Sequence, residues 1–263
     1  MAPPIDAFDD LGTAKKPYKV VACLPVHGRL PLLRHTIERL YKKNGVYKVI
    51  CSGDGVAERE LCEELGAVWV AHQNKPLGAK WNAAFRGAIQ FNPDAVLYVG
   101  SSDFLSDNWL PVMQPYVEQH GFAGVPGCHF LDIGGEACDE LRCCYWPGYR
   151  FTKYHRDRFD ETIGIGCMIS GALMDKVGWE PFDSKYDNSL DRSMKERIFK
   201  YGQAHDFMVE LPQVLRAVSL STDRWPNKHN FLQHYNNFLP SVFVPDAEEF
   251  AAAYFPEIVG MFK

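Results

Sequence analysis

Polar and charged side chains follow directly after three short apolar runs of the sequence. These segments are residues 25–29 (PVHGR), residues 52–55 (SGDG) and residues 100–103 (GSSD). A fourth segment, residues 74–82 (NKPLGAKWN), carries a lysine between glycine and asparagine residues where a helix begins. Carboxylates can accept hydrogen bonds from a base or ribose or hold a divalent cation, whereas lysine and helix amides can meet phosphate. Together the four segments predict a crevice that suits a nucleoside diphosphate.

The elements that must position these segments alternate regularly over the first 110 residues or so. The sequence predicts buried strands at residues 18–24, 46–51, 67–71 and 95–99. It predicts helices from Pro31 to a stop at Asn44-Gly45, over residues 58–65 and over residues 78–91. This alternation indicates an α/β fold with a mostly parallel, doubly wound sheet. Ligands bind beyond the carboxyl ends of strands in such a sheet, which is where the four segments lie.

The second half of the chain loses this alternation. Residues 122–149 are rich in glycine, cysteine and aromatic residues and contain only brief β-like pieces. Residues 162–170 predict another buried strand, followed by a short helix through Val177. Residues 189–201 predict an amphipathic helix, and residues 246–262 predict a final helix that is interrupted at its proline.

The composition restricts the classes of protein to which the chain can belong. It has 263 residues, of which 46% are hydrophobic, and a formal net charge of −5, which excludes fibrous and disordered classes. The charge also argues against a DNA-binding surface over the whole protein. No apolar run reaches the roughly 18 residues of a membrane span, and the N-terminus lacks a secretory signal. The eight cysteines fit free thiols better than a disulfide framework or a zinc site, so we expect a cytoplasmic location.

Two common nucleotide-binding motifs are missing from the sequence. The first predicted strand leads into residues 25–29 (PVHGR) and not into a G-x-G-x-x-G turn, and no G-x-x-x-x-G-K-[ST] loop exists. Hydride transfer from a dinucleotide and P-loop hydrolysis of ATP therefore lose their support.

The order of the remaining motifs resembles the nucleotide-binding half of family 2 glycosyltransferases. The likeness rests on P-V-H-x-R after the first strand, S-x-D-G after the second, N-x-x-x-G-x-K-x-N opening the third helix, and residues 101–110 (SSDFLSDNWL). It continues more weakly through residues 164–183 and through residues 189–192 (SLDR), where the family has its catalytic-base motif at a helix start. The resemblance covers roughly residues 18–202 and implies the type A glycosyltransferase (GT-A) fold.

We expect the chain to form one domain, because no repeat or long linker divides the sequence. Residues 1–17 are expected to form a mobile leader, and residues 18–263 a single GT-A-like domain. Within that domain we expect a nucleotide-binding half at residues 18–110, an irregular acceptor half at residues 111–245 and a C-terminal helix at residues 246–263.

The activity that the resemblance implies is an inverting glycosyl transfer of the hexosyl- or pentosyltransferase class. A sugar moves from a nucleoside-diphosphate sugar to an acceptor hydroxyl, and Asp191 takes the proton of that hydroxyl as general base. The residues implied in donor binding are Pro25, His27, Arg29, Asp54, Asn74, Gly78, Lys80, Asn82, Ser102 and Asp103.

A divalent cation and an acceptor complete the implied site. Asp103 and His229 would hold Mn²⁺ or Mg²⁺, although the family's D-x-D-D motif stands here as residues 100–103 and keeps only its last carboxylate. Trp146 and Gly171 would contact the acceptor, which can be a glycan, a protein, a small molecule or a modified nucleic acid base.

Other interpretations of the same residues stay open at this point. The sheet would also suit a sugar-phosphate nucleotidyltransferase, although a G-x-G-x-R segment is absent, or a nucleotide-sugar-binding protein that lacks catalysis. Asp54 and Asp103 can be turn formers, and Asp191 can be an acid that favours a helix N-terminus. Asp183 and Asp187 are further candidates for the base.

Overall fold

Two sheets organise the computed structural model, which describes residues 17–133, 141–149, 158, 161–201, 216–221 and 242–260. In chain order the strands are β1 (Val20–Pro25), β2 (Lys48–Gly53), β3 (Val68–Ala71), β4 (Ala95–Tyr98), β5 (Asp103–Leu105), β6 (Phe122–Ala123), β7 (Cys128–Asp132), β8 (Arg142–Trp146), β9 (Cys167–Ser170), β10 (Ala217–Ser221) and β11 (Val242–Val244). The helices are α1 (Leu30–Lys42), α2 (Val56–Glu64), α3 (Leu77–Ala88), α4 (Trp109–His120), α5 (Gly171–Lys176), α6 (Leu190–Phe199), α7 (Ala247–Tyr254) and α8 (Pro256–Val259).

The central sheet has the strand order β3-β2-β1-β4-β9-β6. β1 pairs in parallel with β2 and β4, and β2 pairs in parallel with β3, whereas β9 runs antiparallel to β4 and β6. A strand buried on both faces is typical of a parallel sheet covered by helices, and every residue from Val20 to Leu24 is buried. The predicted mixed α/β fold with a mostly parallel sheet is confirmed.

Alternate residues of β1 enter two different cores, so helices cover both faces of the central sheet. Ala22 packs in one core with apolar residues of α1, α2 and α4. Cys23 packs in the other core with residues of α3, α5 and α6. This is the doubly wound arrangement that the alternation of strands and helices predicts, and in such sheets ligands bind beyond the carboxyl ends of the strands.

A second sheet, with the order β11-β8-β7-β10-β5, was expected only as brief β-like pieces. Its apolar face packs with α7 and α8 in a third core that contains Phe104, Val218 and Phe255. β5 begins at Asp103, directly after the turn that follows β4. The second sheet therefore joins the central one at the carboxyl end of β4.

The predicted elements of the second half are confirmed with shorter bounds. The strand expected at residues 162–170 is β9, which begins at Cys167, and the helix expected at residues 189–201 is α6. The final helix is divided at Pro256, as the sequence predicts. The expected leader at residues 1–17 lies almost wholly outside the described residues. Among the helices of the described ranges, none is long and apolar enough to cross a membrane.

Candidate active site

The turn after β1 places a guanidinium at the carboxyl edge of the central sheet. Gly28 and Arg29 both have left-handed backbone conformations, with φ of 64° and 55°. This conformation costs a non-glycine residue on the order of 1 kcal/mol, so the surrounding structure must hold Arg29 in it. Nη1 of Arg29 donates to Oγ of Ser102 at 3.0 Å. The structure thereby joins the turn after β1 to the turn after β4 and brings two of the predicted donor residues together.

Asp103 lies near this guanidinium, and the protein encloses its carboxylate. The residue is 8% exposed, and its Oδ2 accepts from the N–H of Gly100 at 2.8 Å. Burial raises the pKa of Asp103 to about 6, against the opposing effects of a hydrogen bond with the Ser219 side chain, the Gly100 N–H and the charge of Arg29. The carboxylate therefore closes the turn between β4 and β5 and ties it to β10.

Lys80 is a buried cation beneath two of the loops. It is 1% exposed, and its Nζ donates to the carbonyl of Val26 at 2.5 Å and to Oδ1 of Asn74 at 2.9 Å. Burial lowers the pKa of Lys80 to about 8, while the charges of Asp54 and Glu58 act in the opposite direction. Lys80 thus stays largely protonated at neutral pH and holds the segment after β1 against the segment before α3.

Two of the predicted donor-binding residues, His27 and Asp54, are exposed at the carboxyl ends of the strands. Asp54 is exposed in the turn between β2 and α2, and its Oδ2 accepts from the backbone N–H of Asn74 at 3.2 Å. His27 is exposed and Pro25 is half-buried at the end of β1. An exposed carboxylate with one oxygen engaged can accept further hydrogen bonds, such as those of a base or a ribose.

The N-terminus of α3 is occupied by the protein itself. The N–H of Leu77 donates to Oδ1 of Asp187 at 2.9 Å, and the N–H of Gly78 donates to the carbonyl of Tyr186 at 2.8 Å. A Cβ on Gly78 would lie 2.1 Å from the carbonyl oxygen of Asp183. The Gly78 amide therefore holds residues 182–187, which we call the latch. The expected contact of this amide with phosphate stays a prediction.

Asn82 binds the first residues of the latch, Phe182 and Ser184. Its side chain is fully buried, and Nδ2 donates to the carbonyl of Phe182 at 2.9 Å and to Oγ of Ser184 at 3.0 Å. Oδ1 accepts from the N–H of Phe182 at 3.2 Å. The amide of Asn82 is thus used within the fold, and its expected contact with the donor stays a prediction. Gly78 and Asn82 instead fix the segment that leads into α6.

The latch brings Asp191 to the same edge of the sheet from the first turn of α6. Oδ1 of Asp191 accepts from the hydroxyl of Tyr98 at 3.4 Å, and Oδ2 accepts from the hydroxyl of Tyr149 at 3.4 Å. A Cβ on Gly164 would lie 2.8 Å from Oδ1, so this glycine makes room for the carboxylate. Burial raises the pKa of Asp191 to about 6, and the charge of Arg158 acts against that shift.

Tyr98 is a residue that sequence reasoning missed, because its ring belongs to the core and only its hydroxyl reaches the site. The ring meets those of Trp81 and Phe182 edge to face, with centroids 5.2 Å and 5.6 Å away. In the sequence Tyr98 is one apolar member of a strand, and nothing in the pattern distinguishes it.

An ion pair between Arg158 and Glu161 contacts the ring of Tyr149. The Arg158 guanidinium lies 3.5 Å from the centroid of the Tyr149 ring, and its Nε donates to Oε2 of Glu161 at 2.6 Å. Glu161 is 3% exposed, and its charge raises the pKa of Asp191 while that of Arg158 lowers it. No motif singles out Arg158 or Glu161, so the sequence gives no signal for this pair.

The carboxylates of Asp103 and Asp191 both lie close to Cys128. Burial raises the pKa of the Cys128 thiol well above its usual value, and the charges of both Asp103 and Asp191 add to that effect. The first residue of α6 also reaches α3, because the Leu190 side chain would lie 3.3 Å from a Cβ on Gly78. The carboxyl ends of β1, β2 and β4 and the start of α6 therefore form one candidate site.

The predicted acceptor residues are placed differently from one another. Trp146 meets the ring of Tyr149 edge to face at 5.0 Å but is only 6% exposed, so it offers little surface to an acceptor. Gly171 lies at the opposite edge of the sheet, where its N–H donates to the carbonyl of Asp94 just before β4 begins. This corrects the expectation for Gly171, since it is separated from the site by the length of the strand.

The described residues do not provide a ready metal centre. Among them no three His, Cys, Asp or Glu side chains are grouped so that they could hold an ion. His229, the second expected ligand, lies outside the described ranges. All seven described cysteines are free and buried, including Cys128, Cys143 and Cys144.

Comparisons with known proteins give neighbours of low similarity. No family model matches the chain, and no curated protein matches it. The structure is similar to the crystal structure of S. aureus TarS 1-349, with a TM-score of 0.48 and 14% identity over 78% of this chain and 58% of that chain. TarS 1-349 in complex with UDP-GlcNAc is similar with a TM-score of 0.46 and 14% identity over 78% of this chain and 56% of that chain. This chain thus spans less than two thirds of either neighbour.

Proposed function

We propose that the chain is a nucleotide-sugar-dependent glycosyltransferase that inverts the anomeric centre and uses Asp191 as its general base. The observation that carries this proposal is the meeting of Asp191 with Tyr98, which lies 93 residues away at the carboxyl end of β4. The resemblance of the motif order to family 2 glycosyltransferases supports the same role, because that order names Asp191 independently of its position in space.

The environment of Asp191 suits proton transfer from a hydroxyl. A carboxyl group with a pKa of about 6 is mostly ionised at neutral pH and is a stronger base than an ordinary aspartate. As the acceptor oxygen bonds to the anomeric carbon, its proton passes to Asp191. The bond from that carbon to the diphosphate breaks, and the electron pair stays on the departing phosphate oxygen. Such general-base assistance typically accelerates a reaction by about 10² to 10⁴-fold.

The donor would lie along the edge from Asp54 to Arg29. The exposed carboxylate of Asp54 supports a role in accepting hydrogen bonds from base or ribose. Arg29 presents a guanidinium, whose fork of N–H donors matches phosphate oxygens. Asn74 and Lys80 hold the loops that shape this surface.

The expected divalent cation does not fit the residues present. Asp103 is the one carboxylate that the motif keeps, and its Oδ2 is already bonded to the Gly100 N–H within an enclosed turn. A Mg²⁺ or Mn²⁺ site needs accessible oxygen ligands. We therefore assign no step of the reaction to a metal.

The finer features of the reaction are part of this proposal. The sugar is a hexose or a pentose, and the acceptor is a hydroxyl of a glycan, a protein, a small molecule or a modified nucleic acid base. The free, buried thiols of the described residues support a reducing compartment and hence a cytoplasmic location.

Calorimetric titration with UDP-, GDP- and CDP-sugars, followed by mass spectrometry of the products, tests the proposal. We expect the sugars of one nucleotide class to bind. The products should be the free nucleoside diphosphate and a sugar that is either transferred to an acceptor or released by hydrolysis. The absence of binding by every donor would refute the donor half. Formation of pyrophosphate from a nucleoside triphosphate and a sugar phosphate would indicate a nucleotidyltransferase, and binding without turnover would indicate a protein that lacks catalysis.

A further inference from the structure

The surroundings of Asp103 contradict the role that its motif implies. Its carboxylate accepts from the Gly100 N–H, bonds to the Ser219 side chain and is 8% exposed. A Cβ on Gly100 would lie 2.5 Å from Oδ2, which shows how closely the turn wraps this oxygen. A cation bound at this carboxylate would compete with the Gly100 N–H and with the Ser219 side chain, through which the turn between β4 and β5 is bonded to β10.

Positive charge is nevertheless supplied at this place by side chains. The Arg29 guanidinium is bound to Ser102, the residue before Asp103, and its charge acts on both Asp103 and Lys80. Lys80 has three N–H donors, of which two are used by Val26 and Asn74. Arg29 lies in the turn after β1, and the Nζ of Lys80 lies beneath that turn, bound to Val26. A ligand such as a diphosphate binds at this end of the strands in sheets of this topology.

We propose that Arg29, with Lys80 behind it, neutralises the diphosphate of the donor in place of a divalent cation. This inference rests on the proposed function and concerns only the way in which the same site handles charge. When the bond from the anomeric carbon to the phosphate oxygen breaks, the electron pair stays on that oxygen and N–H groups of Arg29 donate to it. The acceptor proton goes to Asp191, so the step needs no further reactant.

The left-handed backbone of Arg29 supports this role. The residue stands at the N-cap position of α1, which has no side-chain cap, and Pro31 follows in the first turn. The strained conformation directs the guanidinium to Ser102, at the start of the second sheet. Strain of this kind persists where the structure holds a residue in place, and it often marks a functional site.

The first experiment compares donor binding and turnover by the unmodified chain in excess EDTA and with Mn²⁺ added back. We expect the Kd of the donor found in the titrations, and its turnover, to be the same in both conditions. Binding or turnover that requires Mn²⁺ would overturn the inference and leave the proposed function intact. An absence of binding in both conditions would instead refute the proposed function.

The second experiment substitutes the guanidinium. Arg29→Gln should weaken binding of the same donor in EDTA by about 10- to 100-fold, since a hydrogen bond to a charged group is lost. Arg29→Lys should recover part of that loss because it keeps the charge without the fork. Arg34→Gln is the matched control, because Arg34 lies on the same helix and pairs with Glu64 in solvent. An Arg29→Gln variant that stays folded, as judged by thermal denaturation, and binds like the control would overturn the inference.

Discussion

The two sides of the candidate site hold their side chains in opposite ways. On the side proposed to bind the donor, the buried Lys80 donates to the carbonyl of Val26 at 2.5 Å and to Oδ1 of Asn74 at 2.9 Å. On the base side, Asp191 is held by two tyrosine hydroxyls at 3.4 Å each. Short bonds to the backbone build a fixed surface for a donor, whereas long bonds leave a carboxylate ready to exchange its partner for an acceptor hydroxyl. The comparison predicts that substitutions on the donor side affect stability and that those on the base side affect rate.

Replacing the proposed base should have the largest effect. Asp191→Asn should lower turnover by about 10² to 10⁴-fold, because an amide cannot take the proton. The Kd of the donor and the melting temperature should stay near those of the unmodified chain. Glu196→Gln is the control, because Glu196 is exposed on the same helix and pairs with Arg192. If Asp191→Asn keeps full turnover, the base is another residue, such as Asp183 or Asp187.

Replacing the buried cation should have a smaller effect, mainly on stability. Lys80→Met leaves the Val26 carbonyl and the Asn74 side chain without their donor, which should cost about 1–3 kcal/mol of unfolding free energy. Chemical denaturation measures this loss, and donor titration should show weaker binding in parallel. Lys75→Met, at an exposed lysine of the same segment, should change neither. Equal stability of the two variants would contradict the role of Lys80 beneath the loops.

Loosening the latch separates binding from rate. Asn82→Ala removes the bonds to both backbone groups of Phe182, so α6 should lose its fixed position. We expect a cost of about 1–2 kcal/mol in stability and lower turnover at an unchanged donor Kd. Gln114→Ala, at a half-buried residue of α4 whose amide donates to Glu118, is the control. Weaker donor binding at unchanged stability would instead favour the direct donor contact that the motif implies.

The smallest expected effect is on the pH dependence of turnover. Turnover should fall as the pH drops through about 6, because Asp191 then becomes protonated. The hydroxyl of Tyr149 donates to the carboxylate and lowers its pKa, so Tyr149→Phe should move this acid limb to higher pH. Pre-steady-state or initial rates across the acid range measure the shift, with Tyr116→Phe as the control. An acid limb that moves to lower pH would contradict the hydrogen bond.

The central sheet was predictable because its signals are local. Each of its first four strands is an apolar run bounded by a turn, and the rule that ligands bind at carboxyl ends then selects Arg29, Asp54 and Ser102. The second sheet was not predictable, since β5 pairs with β10 across more than a hundred residues. No periodicity in a single strand encodes such a partner.

The motif residues themselves were ambiguous in a different way. The spacing of Gly78 and Asn82 identifies a helix start correctly, but it does not reveal whether an amide faces a ligand or a neighbouring loop. Here the loop is the latch, 100 residues further along the chain. The charges of Arg158 and Glu161 act on Asp191, but neither residue belongs to a motif that the sequence reveals.

The aromatic packing of Tyr98 has a consequence for how the protein tolerates heat. The hydroxyl of Tyr98 donates to Oδ1 of Asp191, and the ring of Tyr98 packs against Trp81 and Phe182. The hydrophobic core therefore fixes the position of the group that binds this oxygen. Warming should leave that orientation unaltered until the interior melts cooperatively. Thermal inactivation should consequently coincide with the calorimetric transition rather than precede it.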